Sequence, residues 1–433
     1  MDSLLAARLQ MALSLGFHIV FAVVGMAMPV MMVVAEALWR RTKNPAYLQI
    51  TKRWAKGTAI LFAVGAVSGT VLSFELGLLW PGFMEYAGPI IGMPFSLEGF
   101  AFFLEAIFLG VYLYGWDRVS PRAHLFAGGV VAVSGALSGI FVVTANAWMN
   151  TPAGFEIVNG QVVNVDPIAA MLNPAAFAQV VHMLLAAYMA VGFGVAGIHA
   201  RALLRDRSSP FHRAALSVAL VVAVPPTLLM PFSGDLAAKM VAETQPAKFA
   251  ALEGHFETEA WAPLRIGGWP DVDARETPYA IEIPGALSFL AHGDPAAVVT
   301  GLNDIPRADW PPVLWVHLSF QVMVGIGGAL ALLAVWASWL AWRRGLFDSR
   351  LILRALVLAT PLGFVAIEAG WVVTELGRQP WIIHGVMRTA DAVTPMPGLV
   401  VSLAAVVVIY SVLTVVVVAL MRRLVAGERP GGH

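Results

Sequence analysis

The chain has 433 residues, of which 59% are hydrophobic and only 12% are charged. Its mean hydropathy of +0.76 excludes an ordinary soluble domain and is typical of an integral membrane protein. Acidic and basic residues balance at 27 each, so no basic surplus exists to neutralise phosphates, and nucleic acid is not expected as a partner. The absence of cysteine from the sequence excludes disulfides, thiolate-ligated metals and iron–sulfur clusters.

Nine apolar segments predict the fold. Each has at least the roughly 20 residues needed to cross a hydrocarbon core. We therefore predict an all-α, polytopic membrane protein with nine transmembrane helices, forming a single membrane domain over residues 1–433. In chain order the segments are 11–36, 57–80, 95–116, 124–149, 177–200, 214–233, 312–342, 352–375 and 397–421. The first segment is neither preceded by a basic cluster nor ended by a cleavage site, so we expect this helix to be retained.

Basic residues alternate between the connections. The first, third, fifth and seventh connections contain lysine or arginine, whereas those at 81–94 and 150–176 contain none. By the positive-inside rule, this pattern predicts an N-terminus outside and a C-terminus in the cytoplasm. Residues 234–311, which are rich in proline, glycine and acidic residues, then form a large loop on the outer, periplasmic side. A loop of this size usually carries function.

Seven residues that could bind a metal or a proton lie near the predicted outer side of the helices. They are His18, Glu98, Glu105, His182, His317, Met323 and Glu375. Ionisable side chains inside a membrane are costly unless they pair or ligate, so a shared depth indicates a shared role. Taken singly, a histidine can simply bond a neighbouring helix, and a methionine can simply fill a gap in the core.

Two of these acids stand on one helix. Glu98 and Glu105 are seven residues apart, nearly two full turns, so they project from the same face. Two acids on one face between transmembrane helices favour a proton relay or a cation path over a static network. A proton-coupled or cation-coupled secondary transporter would also place acids there, but it should show inverted repeats or broken helices, which the sequence does not indicate.

Haem is the cofactor that histidine, methionine and carboxylate could serve together. A His/Met pair fills both axial positions of a low-spin haem, whereas a single histidine leaves the opposite face open for oxygen. The remaining glutamate could hold a third iron as an anionic ligand. The candidates come from different helices and no local haem motif links them, so spacing alone leaves both haem and transport open.

Several short motifs, spread along the chain, are shared with one membrane family. They are Arg8-Leu9-Gln10 followed by His18, Leu97-Glu98-Gly99 leading into Phe102-Phe103-Leu104-Glu105, Gly115-Trp116-Asp117-Arg118, His182 with Ala186-Ala187-Tyr188, Met323-Val324-Gly325, and Glu375-Leu376-Gly377-Arg378-Gln379-Pro380-Trp381. Together they resemble subunit I of the cytochrome bd-type quinol oxidases over essentially the whole chain. The last motif is highly specific.

The resemblance implies three haems. His182 and Met323 match the ligands of the low-spin haem b558 iron. His18 and Glu375 match the residues that serve the two high-spin haems, and we assign His18 to the haem d iron and Glu375 to the haem b595 iron. The exchanged assignment is the alternative, because the two sites adjoin.

Further residues match positions around these haems. Glu98 and Glu105 resemble the acids that lie beside haem d and feed it protons from the cytoplasm. Arg8, Trp371 and Arg378 match residues that line the haems, where a guanidinium can bind propionates bidentately.

The large loop matches the family's quinol-oxidising segment at residues 245–253. Lys248 and Glu253 correspond to its quinol-site residues. A carboxylate near the quinol hydroxyl can accept its proton, and an ammonium can stabilise the developing quinolate. Without the resemblance, a lysine and a glutamate five apart in a polar loop would be interpreted as a solvated surface pair.

The resemblance thus predicts the haem-bearing subunit of a quinol:oxygen oxidoreductase in the bacterial cytoplasmic (inner) membrane. Such an enzyme oxidises quinol at the outer face and reduces O2 to water with cytoplasmic protons, which generates a proton motive force without pumping. The expected partners are a second membrane subunit (subunit II), a small accessory single-helix subunit, and membrane lipid.

The chain departs from the family pattern at several positions. Gln321 stands where an arginine is common, and His384 stands where tyrosine is frequent. The outer loop is also short for the family, because it lacks the long C-terminal insertion of some members. These departures resemble the short-loop, cyanide-insensitive branch, in which a haem b can take the place of haem d.

Overall fold

The computed structural model describes residues 2–159 and 161–426. The rest of the predicted domain over 1–433 lies outside these described residues. The α-helices are α1 (Ser3–Thr42), α2 (Pro45–Leu79), α3 (Pro81–Tyr114), α4 (Pro121–Asn150), α5 (Pro167–Met171), α6 (Ala176–Leu203), α7 (Pro210–Thr244), α8 (Pro246–Glu253), α9 (Ala286–His292), α10 (Val313–Trp342), α11 (Arg350–Ala359), α12 (Leu362–Gly377), α13 (Thr389–Ala392) and α14 (Leu399–Ala426).

Nine spans in the described part of the chain are long and apolar enough to cross a membrane. They are α1, α2, α3, α4, α6, α7, α10, the pair α11 and α12 together, and α14. The prediction of an all-α protein with nine transmembrane helices is therefore confirmed.

The strands are short and lie in the connections. They form antiparallel pairs, namely β1 (Glu156–Val158) with β2 (Gln161–Val163), β3 (Glu259–Ala260) with β6 (Val298–Val299), β4 (Leu264–Gly267) with β5 (Ala280–Ile283), and β7 (Trp381–Ile383) with β8 (Met387–Arg388). The β4/β5 hairpin stands in the large loop and β7/β8 follows α12, so both lie on the side of the bundle that is predicted to face outward.

Proline and a short polar residue start several of the long helices on the predicted cytoplasmic side. Asn44, Ser120 and Ser209 each precede a proline, and their side chains accept hydrogen bonds from backbone N–H groups of the first turn. Proline at the first helical position has no N–H to leave unsatisfied, and the capping oxygen satisfies one that remains. These pairs set where α2, α4 and α7 begin.

Helix α1 lies in the centre of the bundle. It packs against α2, α4, α6 and α14, while α3 packs on α4, α7 on α6, and α12 on α10. Its buried side includes Met26, Met28, Met31 and Met32. Unbranched thioether side chains adapt to irregular gaps, which suits a helix that is surrounded by neighbours.

Two predicted connections are partly helical. Helix α3 begins at Pro81, so the outer connection predicted for 81–94 is wrong. Helix α7 continues to Thr244, which moves the start of the predicted 234–311 loop to Gln245. An ion pair of 2.7 Å between Lys239 and Asp235 supports this last part of α7, and these polar residues are the reason that hydropathy ended the segment too early.

The eighth span is broken. Helix α11 ends at Ala359 and α12 begins at Leu362. Pro361 lies at the break, and a proline inside a helix removes one hydrogen bond and clashes with the preceding turn. The sequence analysis predicted one uninterrupted helix over 352–375, and this prediction is wrong.

Candidate functional site

His182 on α6 is oriented by a serine on α7. Its Nδ1 lies 3.0 Å from the Ser233 hydroxyl, and that hydroxyl donates its own proton to the carbonyl of Met230. Ser233 must therefore accept from the imidazole, which places the ring proton on Nδ1. The lone pair of Nε2 is then free for a metal, as in metal-ligating histidines whose second nitrogen is held by a neighbouring acceptor.

His18 on α1 has the same arrangement. Its Nδ1 lies 2.9 Å from the Ser68 hydroxyl of α2, which donates to the carbonyl of Val64 at 3.0 Å. A Cβ placed on Gly69 would lie 3.0 Å from the imidazole Cε1, so the absence of a side chain there leaves room for the ring. His18 also presents a free Nε2.

Met323 of α10 lies against α12 at a glycine. A Cβ placed on Gly370 would be 3.1 Å from the Met323 sulfur, so a larger residue at that position would displace the thioether. Trp371 follows directly and packs partly buried against the central core. Successive residues of a helix point in directions about 100° apart, so the sulfur and this indole lie on different sides of α12.

Glu375 lies at the end of α12 in a polar cluster. Its Oε1 accepts from the Asn146 side chain at 2.6 Å, and its Oε2 accepts from Arg378 Nη2 at 2.6 Å. Arg378 is 2% exposed, yet its Nε and Nη1 have no hydrogen-bond partner. These buried donors can bind an additional anion such as a carboxylate, because a guanidinium presents several N–H groups in a fixed fork.

Lys248 joins the same cluster from the loop. It is 4% exposed, and its Nζ lies 3.2 Å from the Asn150 side-chain oxygen and 3.4 Å from the carbonyl of Thr374. Burial lowers the pKa of Lys248 to about 7, and the nearby positive charge of Arg378 contributes. The surface-pair interpretation of this lysine is wrong, because the short helix α8 buries it against α4 and α12.

Glu253 ends α8, and the structure separates it from Lys248. The two are five positions apart on a helix with about 3.6 residues per turn, so they project from different sides. Glu253 is 1% exposed, and neither carboxylate oxygen has a hydrogen-bond partner. Burial raises the pKa of Glu253 to about 8, although the positive charge of Arg265 opposes the shift.

Two residues of α10 hold the loop beside Glu253. His317 is fully buried, and its ring nitrogens lie 2.8 Å from the carbonyl of Leu252 and 2.9 Å from that of Gly267. Gln321 accepts from Gly267 N at 3.0 Å and donates to the carbonyl of Arg265 at 2.9 Å. His317 is therefore a clamp whose ring is not free to ligate a metal, and Gln321 stabilises the loop.

The acids of α3 lie deeper in the bundle. Glu105 is buried. A Cβ placed on Gly135 of α4 would lie 3.3 Å from its Oε1, and a Cβ placed on Gly25 of α1 would lie 3.6 Å from the same atom. Two glycines thus leave space for the carboxylate between three helices. Glu98 is partly buried two turns nearer the start of α3. For neither acid do the described residues include a hydrogen-bond partner.

Arg8 lines a cavity of about 480 Å³ at the predicted outer side. The other lining residues include Trp310 and Gln379, with Arg307 and Arg388. These last two arginines are paired with aspartates, whereas Arg8 has no hydrogen-bond partner among the described residues. Its guanidinium is therefore the one that can bind a ligand anion there without breaking an ion pair.

The sequence pattern described as cytochrome bd terminal oxidase subunit I matches residues 6–429. The chain belongs to the cytochrome bd oxidase subunit I family. It is therefore a subunit of a respiratory quinol oxidase and spans the membrane several times. The transporter alternative is set aside, even though the eighth span is broken.

Individual relatives agree with this family. The chain is 41% identical to a putative cytochrome bd menaquinol oxidase subunit I of Bacillus subtilis, over 91% of this chain and 90% of the relative. It is 32% identical to cytochrome bd ubiquinol oxidase subunit 1 of the same organism, over 100% of this chain and 96% of the relative. The structure of bd oxidase from Geobacillus thermodenitrificans superposes with a TM-score of 0.92 at 41% identity, covering 99% of each chain.

Cytochrome bd oxidases use haem cofactors and quinol, and the residues present fit haem. Two histidines keep Nε2 free, and Met323 offers a sulfur. Arg378 has buried donors without partners, which suits a haem propionate. The described residues contain no cluster of three or more metal-binding side chains, which is consistent with haem because a porphyrin needs only one or two axial ligands.

Sequence reasoning missed the residues that support these ligands. Ser68, Ser233 and Asn146 carry no signal of their own, because an isolated serine or asparagine in an apolar helix is common. Two acids of the spans, Glu75, which is buried, and Glu368, which is partly buried, were also missed, although a search of the apolar segments for acidic residues could have found them. Glu75 accepts from Gln10, and Glu368 of α12 keeps one oxygen without a partner.

Proposed function

We propose that His182 and Met323 ligate the iron of the low-spin haem b558, His18 that of haem d, and Glu375 that of haem b595. The free Nε2 of both histidines, each fixed by a serine on the next helix, is the observation that carries this proposal. Haem, when bound, supplies electron transfer and oxygen reduction. The exchanged assignment of His18 and Glu375 remains the alternative, since both serve high-spin haems.

The haems need anion-binding and packing residues from this chain. Arg378 and Arg8 bind propionates, and Trp371 lines the haems. The support for Arg378 is its pair of buried donors without partners. Lys248 contributes positive charge to the Glu375 cluster through Asn150, which itself bonds Asn146.

Quinol is oxidised at the Glu253 end of α8. The buried carboxylate accepts the hydroxyl proton, and the burial that raises its pKa makes it a stronger base than an exposed glutamate. We place this loop on the outer side, where the protons are released. The positive-inside pattern of this sequence supports this placement, with the N-terminus outside and the C-terminus in the cytoplasm.

Protons for water come from the cytoplasm through Glu105 and then Glu98. Both acids stand on one face of α3, and Glu105 lies in a space that two glycines keep open. Proton uptake on one side and quinol oxidation on the other separate charge across the membrane without a pump. We further propose a second membrane subunit (subunit II) and a small single-helix subunit as partners.

The departures at Gln321 and His384 support a place in the short-loop, cyanide-insensitive branch. In that branch a haem b can occupy the haem d site. The test of the whole proposal is the reduced-minus-oxidised absorption spectrum of the purified complex, with pyridine haemochrome analysis. A far-red chlorin band together with a low-spin b band indicates haem d, and a b-type spectrum alone indicates the haem b variant. A complex without haem would refute the proposal.

A further inference from the structure

His255 lies two residues beyond Glu253, after the left-handed Gly254 that ends α8. Its side chain is 0% exposed. Arg265 Nη1 lies 3.2 Å from His255 Nδ1. A guanidinium can only donate, so Nδ1 accepts, and in the neutral ring the proton is carried by Nε2.

That Nε2–H has no hydrogen-bond partner. The ring interacts with a backbone group of Val299, but not at the distance and angle of an ordinary hydrogen bond to Nε2. Leaving a buried donor unsatisfied destabilises a protein, and such groups are rare in folded proteins. A ligand with a well-placed acceptor would satisfy this donor more fully than the protein does.

Two side chains near this point of the fold have acceptors without partners, namely Glu253 through both oxygens and Asn303 through Oδ1. Arg265 acts electrostatically on both His255 and Glu253, so the two side chains share one environment. A donor and an acceptor without partners, both buried, match a hydroxyl group, which accepts one hydrogen bond and donates another.

The ring is a donor and not a base. Burial, with the positive charge of Arg265, lowers the pKa of His255 to about 4. The imidazole therefore stays neutral near pH 7 and keeps its proton on Nε2. Glu253 remains the group that can take a proton from the substrate.

We infer that His255 is a substrate-binding residue that donates its Nε2–H to the same quinol oxygen whose proton Glu253 accepts. After oxidation the quinone carbonyl can only accept, so the bond from His255 persists in the product complex. This inference rests on the proposed quinol site at Glu253.

A near-isosteric pair of variants tests it in the holoenzyme complex. His255→Gln retains an N–H donor, whereas His255→Met fills similar volume without one. His292→Ala, at an exposed histidine of the same loop, is the matched control. The measurements are the KM and kcat for a short-chain quinol, the haem spectrum, and the infrared carbonyl bands of a bound short-chain benzoquinone with ¹³C-labelled carbonyls.

We expect His255→Met to raise KM about tenfold, the size of one neutral hydrogen bond, and to shift one labelled carbonyl band to higher frequency. His255→Gln and His292→Ala should leave both readouts near wild type. The inference fails if His255→Met has the KM and the carbonyl band of wild type. It also fails if both His255 variants change KM and the carbonyl band equally, or if both lose haem, since the ring would then have a structural role. If Glu253→Gln also oxidises quinol normally, the quinol site itself is misplaced.

Discussion

The hydroxyls of Ser68 and Ser233 decide which ring nitrogen of His18 and His182 is free. Each serine donates to a backbone carbonyl one turn earlier, so its oxygen must accept from the imidazole Nδ1. This small constraint orients the ring and fixes the tautomer. At the residue scale, the proposed haem ligands therefore depend on side chains that contact no iron.

Replacement of Ser233 should weaken the low-spin haem without removing its ligand. His182→Ala or Met323→Leu should abolish only the low-spin haem signal. Ser233→Ala should keep that signal but reduce haem affinity by about 10–100-fold, the usual cost of losing a partner of a metal-ligating histidine. Titration with haem, followed by reduced-minus-oxidised spectra, measures this.

Ser217→Ala is the matched control, because Ser217 stands on the same helix α7 and bonds only a backbone carbonyl. Equal haem loss in Ser217→Ala and Ser233→Ala would contradict the tautomer argument, since the effect would then come from α7 in general.

Glu253 should govern the pH dependence of quinol oxidation. Its folded pKa is about 8, above the ordinary value for glutamate, so the carboxyl is protonated at lower pH and becomes a base as the pH rises through about 8. We expect kcat/KM for quinol to rise across that range. In Glu253→Gln the rising limb should vanish and the rate should fall by about 10²–10⁴-fold, with all haems retained.

The comparison is a pH–rate profile of wild type and Glu253→Gln, with haem content measured for both. A rising limb that survives unchanged in Glu253→Gln would assign the titration to another group.

At the scale of elements, α10 connects two parts of the proposed machinery. Met323 lies on this helix. Gln321, about half a turn earlier, and His317, less than two turns earlier, hold the loop through the backbone of β4 and of Leu252. The loop beside Glu253 is therefore fixed to the helix that carries Met323, a proposed haem ligand. This contact keeps the quinol site and the proposed low-spin haem at a constant separation.

Gln321→Leu removes two hydrogen bonds between α10 and the loop. With about 1 kcal/mol for each bond, we expect the loop to open more often, which should raise KM for quinol and speed tryptic cleavage at Arg265. The haem spectrum should stay unchanged because Met323 is untouched. Gln161→Leu, at an exposed position of a different connection, should leave both the KM and the proteolysis rate as in wild type. Slower or unaltered cleavage in Gln321→Leu would show that other contacts hold the loop.

For the molecule as a whole, burial is unevenly distributed over the spans. About half of the most apolar window of α1 and of α6 is buried, but only 17% of that of α10 and of α14. The outward faces of such spans contact lipid or another membrane subunit. The distribution of basic residues predicts the side of the membrane on which each connection lies.

The lack of cysteine in the sequence allows a direct test of orientation. Tyr279→Cys places a thiol at a residue of the large loop that is 91% exposed, and Arg205→Cys places one in an exposed connection at the opposite side. In intact spheroplasts, a membrane-impermeant maleimide should label only Tyr279→Cys. After lysis both variants should react. Labelling of Arg205→Cys alone in intact cells would invert the proposed topology.

The sequence by itself determined the class of the protein, because nine apolar segments need no tertiary contacts to be recognised and because local motifs such as Glu375–Trp381 are specific to one family. The sequence predicted the ends of the spans less accurately than their number. Hydropathy cannot see a helix that continues into polar residues, as α7 does to Thr244, or the break before Leu362.

Only the tertiary structure decided which side chains work together. Lys248 and Glu253 look like one pair in the sequence, yet α8 directs the first toward Glu375 and the second toward Arg265 and α10. His317 looks like a haem ligand, but loop carbonyls use both its nitrogens. Hydrogen-bond partners and burial depend on which helices pack together, and that packing is not encoded in any local stretch of the chain.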